Sequence, residues 1–175
     1  MESSELERFE TVVLQHLDAA YTLARYLTRN AHDAEDVVQD ACLRALKYFD
    51  GFRGGEGASA RAWLLAIVRN TAYTSRRRRR QDGAETEFDE EQHSDAVADA
   101  HPESALLRND AKETLARALD RLAPEFREVI VLRELQGLSY KEISEVAGVP
   151  VGTVMSRLSR ARSHLQEALR DEHER

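Results

Sequence analysis

Apolar residues recur every three or four positions along almost the whole chain, a period that admits helices and little else. From Glu5 to about Arg29 the series is Leu6, Phe9, Val13, Leu17, Ala20, Ala24 and Leu27. No stretch shows the two-residue alternation of a half-buried strand. After the polar break Asn30-Ala31-His32, Asp33 is placed as an N-cap with Asp36 three residues on, opening a helix over about 33–49. Its expected core face is Val38, Cys42, Ala45, Leu46 and Phe49. The glycine-rich segment DGFRGGEGAS reads as a loop. A third helix then runs from about Ser59 to Arg80, with Trp63, Leu64, Ile67, Val68 and Thr71 towards the core.

Composition matters where the pattern stops. The chain has a formal net charge of -7, but residues 81–107 contain nine acids and no base, while 1–80 are slightly basic and 108–175 neutral. That middle segment has the composition of a flexible linker. The expected architecture is all-α: a helical domain over 1–80, an acidic linker over 81–107 and a second helical domain over 108–175. In the second domain Leu115, Ala118, Leu119 and Leu122 mark a helix that stops before Pro124, and EFREVIVLREL forms another that ends at Gly137. Ser139 and Glu142 have capping-box spacing and open a further helix.

That helix begins the stretch LSYKEISEVAGVPVGTVMSRLSRAR, which reads as a helix-turn-helix. Tyr140, Ile143 and Ala147 face inward, Gly148-Val149-Pro150 make the turn, and Val154, Leu158, Ala161 and Leu165 share the buried face of the second helix. Thr153, Ser156, Arg157 and Arg160 share another face, and no acid lies between Val146 and Gln166. Short hydroxyl donors and arginines near a helix N-terminus suit base-edge and phosphate contacts. Ser139, Tyr140 and Arg162 complete the candidate DNA-binding set of this domain.

Two further surfaces stand out. Residues 61–80 hold seven arginines and no acid, ending in five consecutive Arg. Trp63 and Tyr73, with Phe52 just before, interleave rings with cations, a pattern suited to unstacked bases of single-stranded nucleic acid. The candidates here are Phe52, Arg53, Trp63, Arg69 and Asn70, then Tyr73, Arg76, Arg77 and Arg80. Trp63 also fits the role of a core anchor, and the arginine run that of a generic polyanion patch. On the second helix, Asp36, Gln39, Asp40, Leu43 and Lys47 lie on one face opposite Val38 and Cys42, a candidate protein-docking surface.

No nucleophile grouping, phosphate-cradling glycine motif or ligand cluster is present, so neither catalysis, a cofactor nor a metal is expected. The single cysteine, Cys42, excludes an internal disulfide, and the six histidines lack metal-ligand spacing. Without a leader or an apolar run of membrane-spanning length, a cytoplasmic protein without membrane insertion is expected.

Taken in order, DAEDVVQDACLRAL (33–46), FRGG…ARAWLLAIVRN (52–70) and LRELQGLSYKEISEVAGVPVGTVMSRLSRAR (132–162) resemble the bacterial sigma factors of the extracytoplasmic-function type. The resemblance covers about residues 8–80 and 108–168. It implies a chain that binds core RNA polymerase, directs it to promoters under stress and assists DNA opening. By the same resemblance, the Asp36/Gln39/Asp40/Leu43 face docks on the polymerase clamp, and Phe52 to Arg80 read the melted minus-ten element, with Phe52 and Asn70 at a flipped-base pocket. The helix over 151–162 reads the double-stranded minus-thirty-five element, and an anti-sigma factor is implied as a partner.

Two positions depart from the family's pattern: Met155 stands where many members carry a cation, and the loop GGEGAS contains an acid. The acidic linker, mimicking a polyanion, is expected either to mask the basic surfaces in the free chain or to act as a plain tether. The competing reading is a stand-alone helix-turn-helix regulator, which leaves residues 33–80 without a role. A protein-only helical adaptor leaves both arginine surfaces unexplained.

Overall fold

Helix caps and buried faces divide the chain into two helical bundles. The structure, a computed structural model, describes residues 3–52, 59–82 and 102–175. Among these there is no strand. The first bundle contains α1 (Ser3–Val13), α2 (Leu17–Thr28), α3 (Ala31–Lys47) and α4 (Ala60–Gln81). The second contains α5 (Pro102–Asp120), α6 (Pro124–Ile130), α7 (Tyr140–Ala147) and α8 (Val151–His173).

The single helix expected from Glu5 to Arg29 is two. One 3-10 turn, Leu14–His16, separates α1 from α2. No Gly or Pro marks that break, so packing sets it: Phe9 and Val13 are buried with α1, and Ala20, Leu23, Ala24 and Leu27 with α2. Arg29 ends α2 in a left-handed conformation (φ 62°) and donates its N–H to the Arg25 carbonyl. A non-glycine residue there costs about 1 kcal/mol, which surrounding contacts must offset.

The N-cap of α3 is Asn30, whose side chain accepts from the Asp33 N–H, and not Asp33 itself. Asp33 is instead buried and forms a two-pronged ion pair with Arg79 near the end of α4. The buried face of α3 is also rotated from the expected one. Ala34, Val37, Ala41 and Ala45 point inward, while Val38, Cys42 and Leu46 are half-buried. Small side chains allow α3 to approach α2 and α4 closely, which a face of larger residues would prevent. Burial pushes the Cys42 thiol above its ordinary value, as for a small core residue.

α4 starts at the N-cap Ser59, whose hydroxyl accepts from the Ala62 N–H, and buries Leu64, Leu65, Val68 and Thr71. In the second bundle, α5 begins at Pro102, inside the segment expected to be linker; residues 83–101 of that segment lie outside the described residues. α6 continues into one turn of π-helix, Val131–Leu135, before Gly137 reverses the chain at φ 68°. The buried side chains of the two bundles form one continuous cluster, in which Leu23 and Leu64 of the first join Leu119, Leu132 and Ile143 of the second.

Candidate nucleic-acid and protein interfaces

α3 presents its solvent face as expected. Asp36, Gln39, Asp40 and Lys47 are exposed, and Leu43, at 67% exposure, stands out as a large apolar side chain among them. Asp40 pairs with Arg44 at 3.2 Å, and Lys47 Nζ lies 5.5 Å from the ring of Tyr48, itself exposed. A groove beside this face is lined by Asp36, Asp40 and Arg44 from α3 and by Thr71, Ser75 and Arg78 from α4.

The aromatic residues of the second surface divide by burial. Phe52 is buried, with its ring 4.9 Å from Trp63 and 6.0 Å from Phe49, and Phe9 meets Phe49 edge-on at 5.3 Å. Trp63 is half-buried against this cluster, so it anchors the core while keeping one side at the surface. Arg53 lies outside the described residues. Asn70, Arg77 and Arg80 are exposed and Arg76 is half-buried.

Arg69 and Tyr73 are engaged inside the protein. The Arg69 guanidinium lies over the Tyr73 ring at 4.3 Å and donates through Nε to Glu128 Oε1 at 2.6 Å. The Tyr73 hydroxyl donates to Glu128 Oε2 at 3.2 Å. Burial, reinforced by the Glu128 carboxylate, pushes the Tyr73 hydroxyl up to about 12, so it stays a donor. Glu128 is fully buried, and burial pushes its carboxyl above the usual range despite the opposing pull of Arg69.

Its neighbour Arg127 is 2% exposed. It donates to the carbonyls of Leu119 (3.0 Å), Leu122 (2.8 Å) and Asp120 (3.4 Å), and across the bundles to Tyr26 (3.2 Å). These carbonyls lie at or near the C-terminal ends of α5 and α2, where helix dipoles favour a cation. Burial lowers Arg127 to about 10, with Arg29 adding to the effect, so it remains charged at neutral pH. Arg29 also pairs with Asp120 at 3.4 Å, and Gln136 Nε2 donates to the Ala19 carbonyl at 3.3 Å. Sequence patterning treated Arg127 and Glu128 only as positions in a helix. The signal available was a pair of charges inside the apolar run FREVIVL.

The helix-turn-helix forms as its spacing predicts. Ser139 and Glu142 close a reciprocal capping box at 3.1 Å in each direction. Gly148 turns the chain at φ 68°, and Pro150 occupies the N-cap of α8, one position before the first helical residue. Val154, Leu158 and Ala161 are buried. Tyr140 is half-buried beneath the Arg133 guanidinium at 4.7 Å. Ser156 and Arg160 are exposed, Thr153 and Arg157 half-buried, and Met155 is 54% exposed among them. Arg162 forks onto Glu134 at 2.8 and 3.1 Å on the surface.

Two family signatures match the chain: Sigma-70 region 2 over residues 12–81 and Sigma-70, region 4 over residues 112–165. The ECF RNA polymerase sigma factor SigE of Mycolicibacterium smegmatis is 34% identical over 171 residues, covering 96% of this chain and 64% of that protein. The RNA polymerase sigma-H factor of Pseudomonas aeruginosa is 36% identical over 169 residues, covering 92% of this chain and 86% of that one. Among solved structures, the sigma factor RpoE in complex with the anti-sigma factor NepR from Bartonella quintana superposes with a TM-score of 0.74 at 31% identity, covering 94% of this chain and 98% of that chain. Among the described residues, no helix is long and apolar enough to cross a membrane.

Proposed function

Because this chain belongs to the extracytoplasmic-function RNA polymerase sigma factors, subunits that direct RNA polymerase to promoters, we propose a division of labour between its two bundles. Residues 1–80 bind core polymerase through the exposed Asp36, Gln39, Asp40, Leu43 and Lys47 face and read the melted minus-ten element along α4. Residues 108–175 read the minus-thirty-five element through the start of α8. The polymerase carries out RNA synthesis, and this chain supplies specificity in the cytoplasm, where polymerase and chromosome meet.

The observation that carries this reading is the pairing of two acid-free arginine helices, 61–80 and the start of α8, on two separate bundles. On α4, which carries the half-buried Trp63 near its start, Asn70, Arg77 and Arg80 are exposed further along the helix. Cations that track a backbone next to aromatic faces suit single-stranded DNA. On α8, Ser156 lies in the second turn and Arg160 one turn further along the same exposed side, on the helix that meets base edges and phosphates in a major groove. Met155 contributes apolar contact in place of a charge, which favours thymine methyl groups at that position.

An anti-sigma factor is a further partner on this reading, as for the RpoE relative solved with NepR. The Leu43 face and the groove beside it supply the apolar and charged contacts such a partner needs. The test is transcription in vitro from a cognate promoter with purified core polymerase. Initiation only on addition of this chain is expected. Failure of the chain to bind core polymerase overturns the reading.

A further inference from the structure

Asn70 lies midway along α4, a position where asparagine weakens a helix. Its neighbour Thr71 turns its hydroxyl back to the Ile67 carbonyl at 2.7 Å, a common use of a short polar side chain inside a helix. Asn70 does not do this. Its Oδ1 accepts from Arg69 Nη1 at 3.3 Å, and among the described residues its side chain makes no other hydrogen bond. That bond decides which end of the amide faces outward. A guanidinium donates and cannot accept, so the atom against it is the oxygen, and the NH2 is left to solvent.

Arg69 is itself held in place. Its guanidinium lies over the Tyr73 ring, one turn on along α4, at 4.3 Å, and its Nε donates to Glu128 at 2.6 Å. The Arg69 side chain is 23% exposed, whereas Asn70 beside it is exposed. The stacking on Tyr73 and the bond to Asn70 are both internal to α4, so they travel with that helix. We propose that Arg69 is a positioning residue: it fixes the Asn70 amide with the NH2 outward, so that Asn70 meets an unpaired base as a donor only. The inference rests on the reading of α4 as the minus-ten surface and deepens it. A donor-only amide engages the keto oxygen that thymine or guanine presents where cytosine or adenine carries an amine. An asparagine free to turn over offers either end and cannot make that distinction. Arg69 therefore acts on the base through Asn70 and not by touching it.

The experiment uses holoenzyme assembled from core polymerase and the full chain, with promoter duplexes that carry a preformed bubble over the minus-ten element. Each non-template base of the bubble is varied in turn, and fluorescence anisotropy reads the dissociation constants. Asn70→Ala identifies the contacted position as the one whose base preference it removes. There the natural chain is expected to favour thymine or guanine over cytosine or adenine about tenfold. Arg69→Leu is expected to bind every base more weakly, through the lost cation, and to narrow that preference to about twofold or less as the amide turns over. Asn70→Asp alters neither Tyr73 nor Glu128 and keeps the inference testable if Arg69→Leu fails to fold. With one carboxylate oxygen held by Arg69, the other faces outward as an acceptor, and the preference is expected to reverse towards cytosine or adenine. A preference that Asn70→Ala removes but folded Arg69→Leu keeps, or that Asn70→Asp does not reverse, overturns the positioning role and leaves the minus-ten reading intact. If no position responds to Asn70→Ala, the inference falls together with the base contact of Asn70, whereas binding of core polymerase by the same preparation leaves the sigma-factor assignment standing.

Discussion

α4 and α8 are both long helices rich in arginine, but they place those cations differently. On α4, Arg69 is bound to the buried Glu128 and Arg79 to the buried Asp33, so part of the arginine surface holds the protein together. On the recognition segment of α8, Ser156 and Arg160 face solvent, and the Arg162 pair with Glu134 is itself on the surface. Arginine density therefore does not measure how much of a helix is available to DNA. What decides is whether a buried carboxylate from another element lies within reach of the guanidinium. A helix that is wired into the fold on one side and open on the other suits capture of melted DNA against a fixed frame. An open helix on a small bundle suits insertion into an intact groove.

The widest gap between structural and recognition arginines lies at Arg127. Arg127→Met leaves four carbonyls without their shared donor and is expected to lower stability by about 3 kcal/mol, read from the denaturant midpoint. Arg160→Ala is expected to change it by less than about 0.5 kcal/mol. Binding reverses this order. Arg160→Ala is expected to weaken minus-thirty-five DNA binding by the holoenzyme about tenfold and, if the contact is to phosphate, to reduce the salt slope by about one. A loss of stability without a loss of binding would move Arg160 to the structural class.

Within α4, Arg79→Ala is expected to lower stability by about 1 kcal/mol, a figure held down because the Arg79 side chain is 41% exposed. Arg77→Ala should leave the thermal midpoint unchanged and weaken binding to melted DNA. Equal effects of the two would break the distinction drawn inside that helix.

The smallest expected effect concerns pH. The Glu128 carboxyl is raised in the folded chain, chiefly by burial, so the native state binds more protons than the unfolded state between the ordinary and the raised value. Its contribution favours folding below the ordinary carboxyl range and diminishes as pH rises through the raised value. The stability of Glu128→Gln relative to that of the natural chain should therefore be highest at neutral pH and fall on acidification. Thermal midpoints measured in parallel from pH 7 towards 4.5 check the sign.

The helical class, the break near residue 30 and the helix-turn-helix with its capping box were all legible, because caps and apolar periods are local properties. The buried face of α3 was not. Its size-ranked apolar residues point one way, and the narrow space between α2 and α4 selects Ala34, Ala41 and Ala45 instead. Asp33 looked like a cap because cap chemistry is local, but its partner Arg79 is 46 positions away. Glu128 and Arg127 were silent for the same reason: their partners Arg69, Tyr73 and Tyr26 come from the other bundle. The surface placement of the α3 face, Asn70, Ser156 and Arg160 was legible in sequence because surface residues need only the helical period to be placed.

The division between the two helices can be tested by photocrosslinking in the assembled holoenzyme. A photoreactive residue at Asn70 on α4 and another at Ser156 on α8, each in an otherwise natural chain, are mapped on a cognate promoter. The account predicts that the Asn70 probe marks the minus-ten element and the Ser156 probe the minus-thirty-five element, about 25 base pairs upstream, or some 85 Å along the duplex. Both probes marking the same element, or either failing to reach DNA in an active holoenzyme, would contradict it.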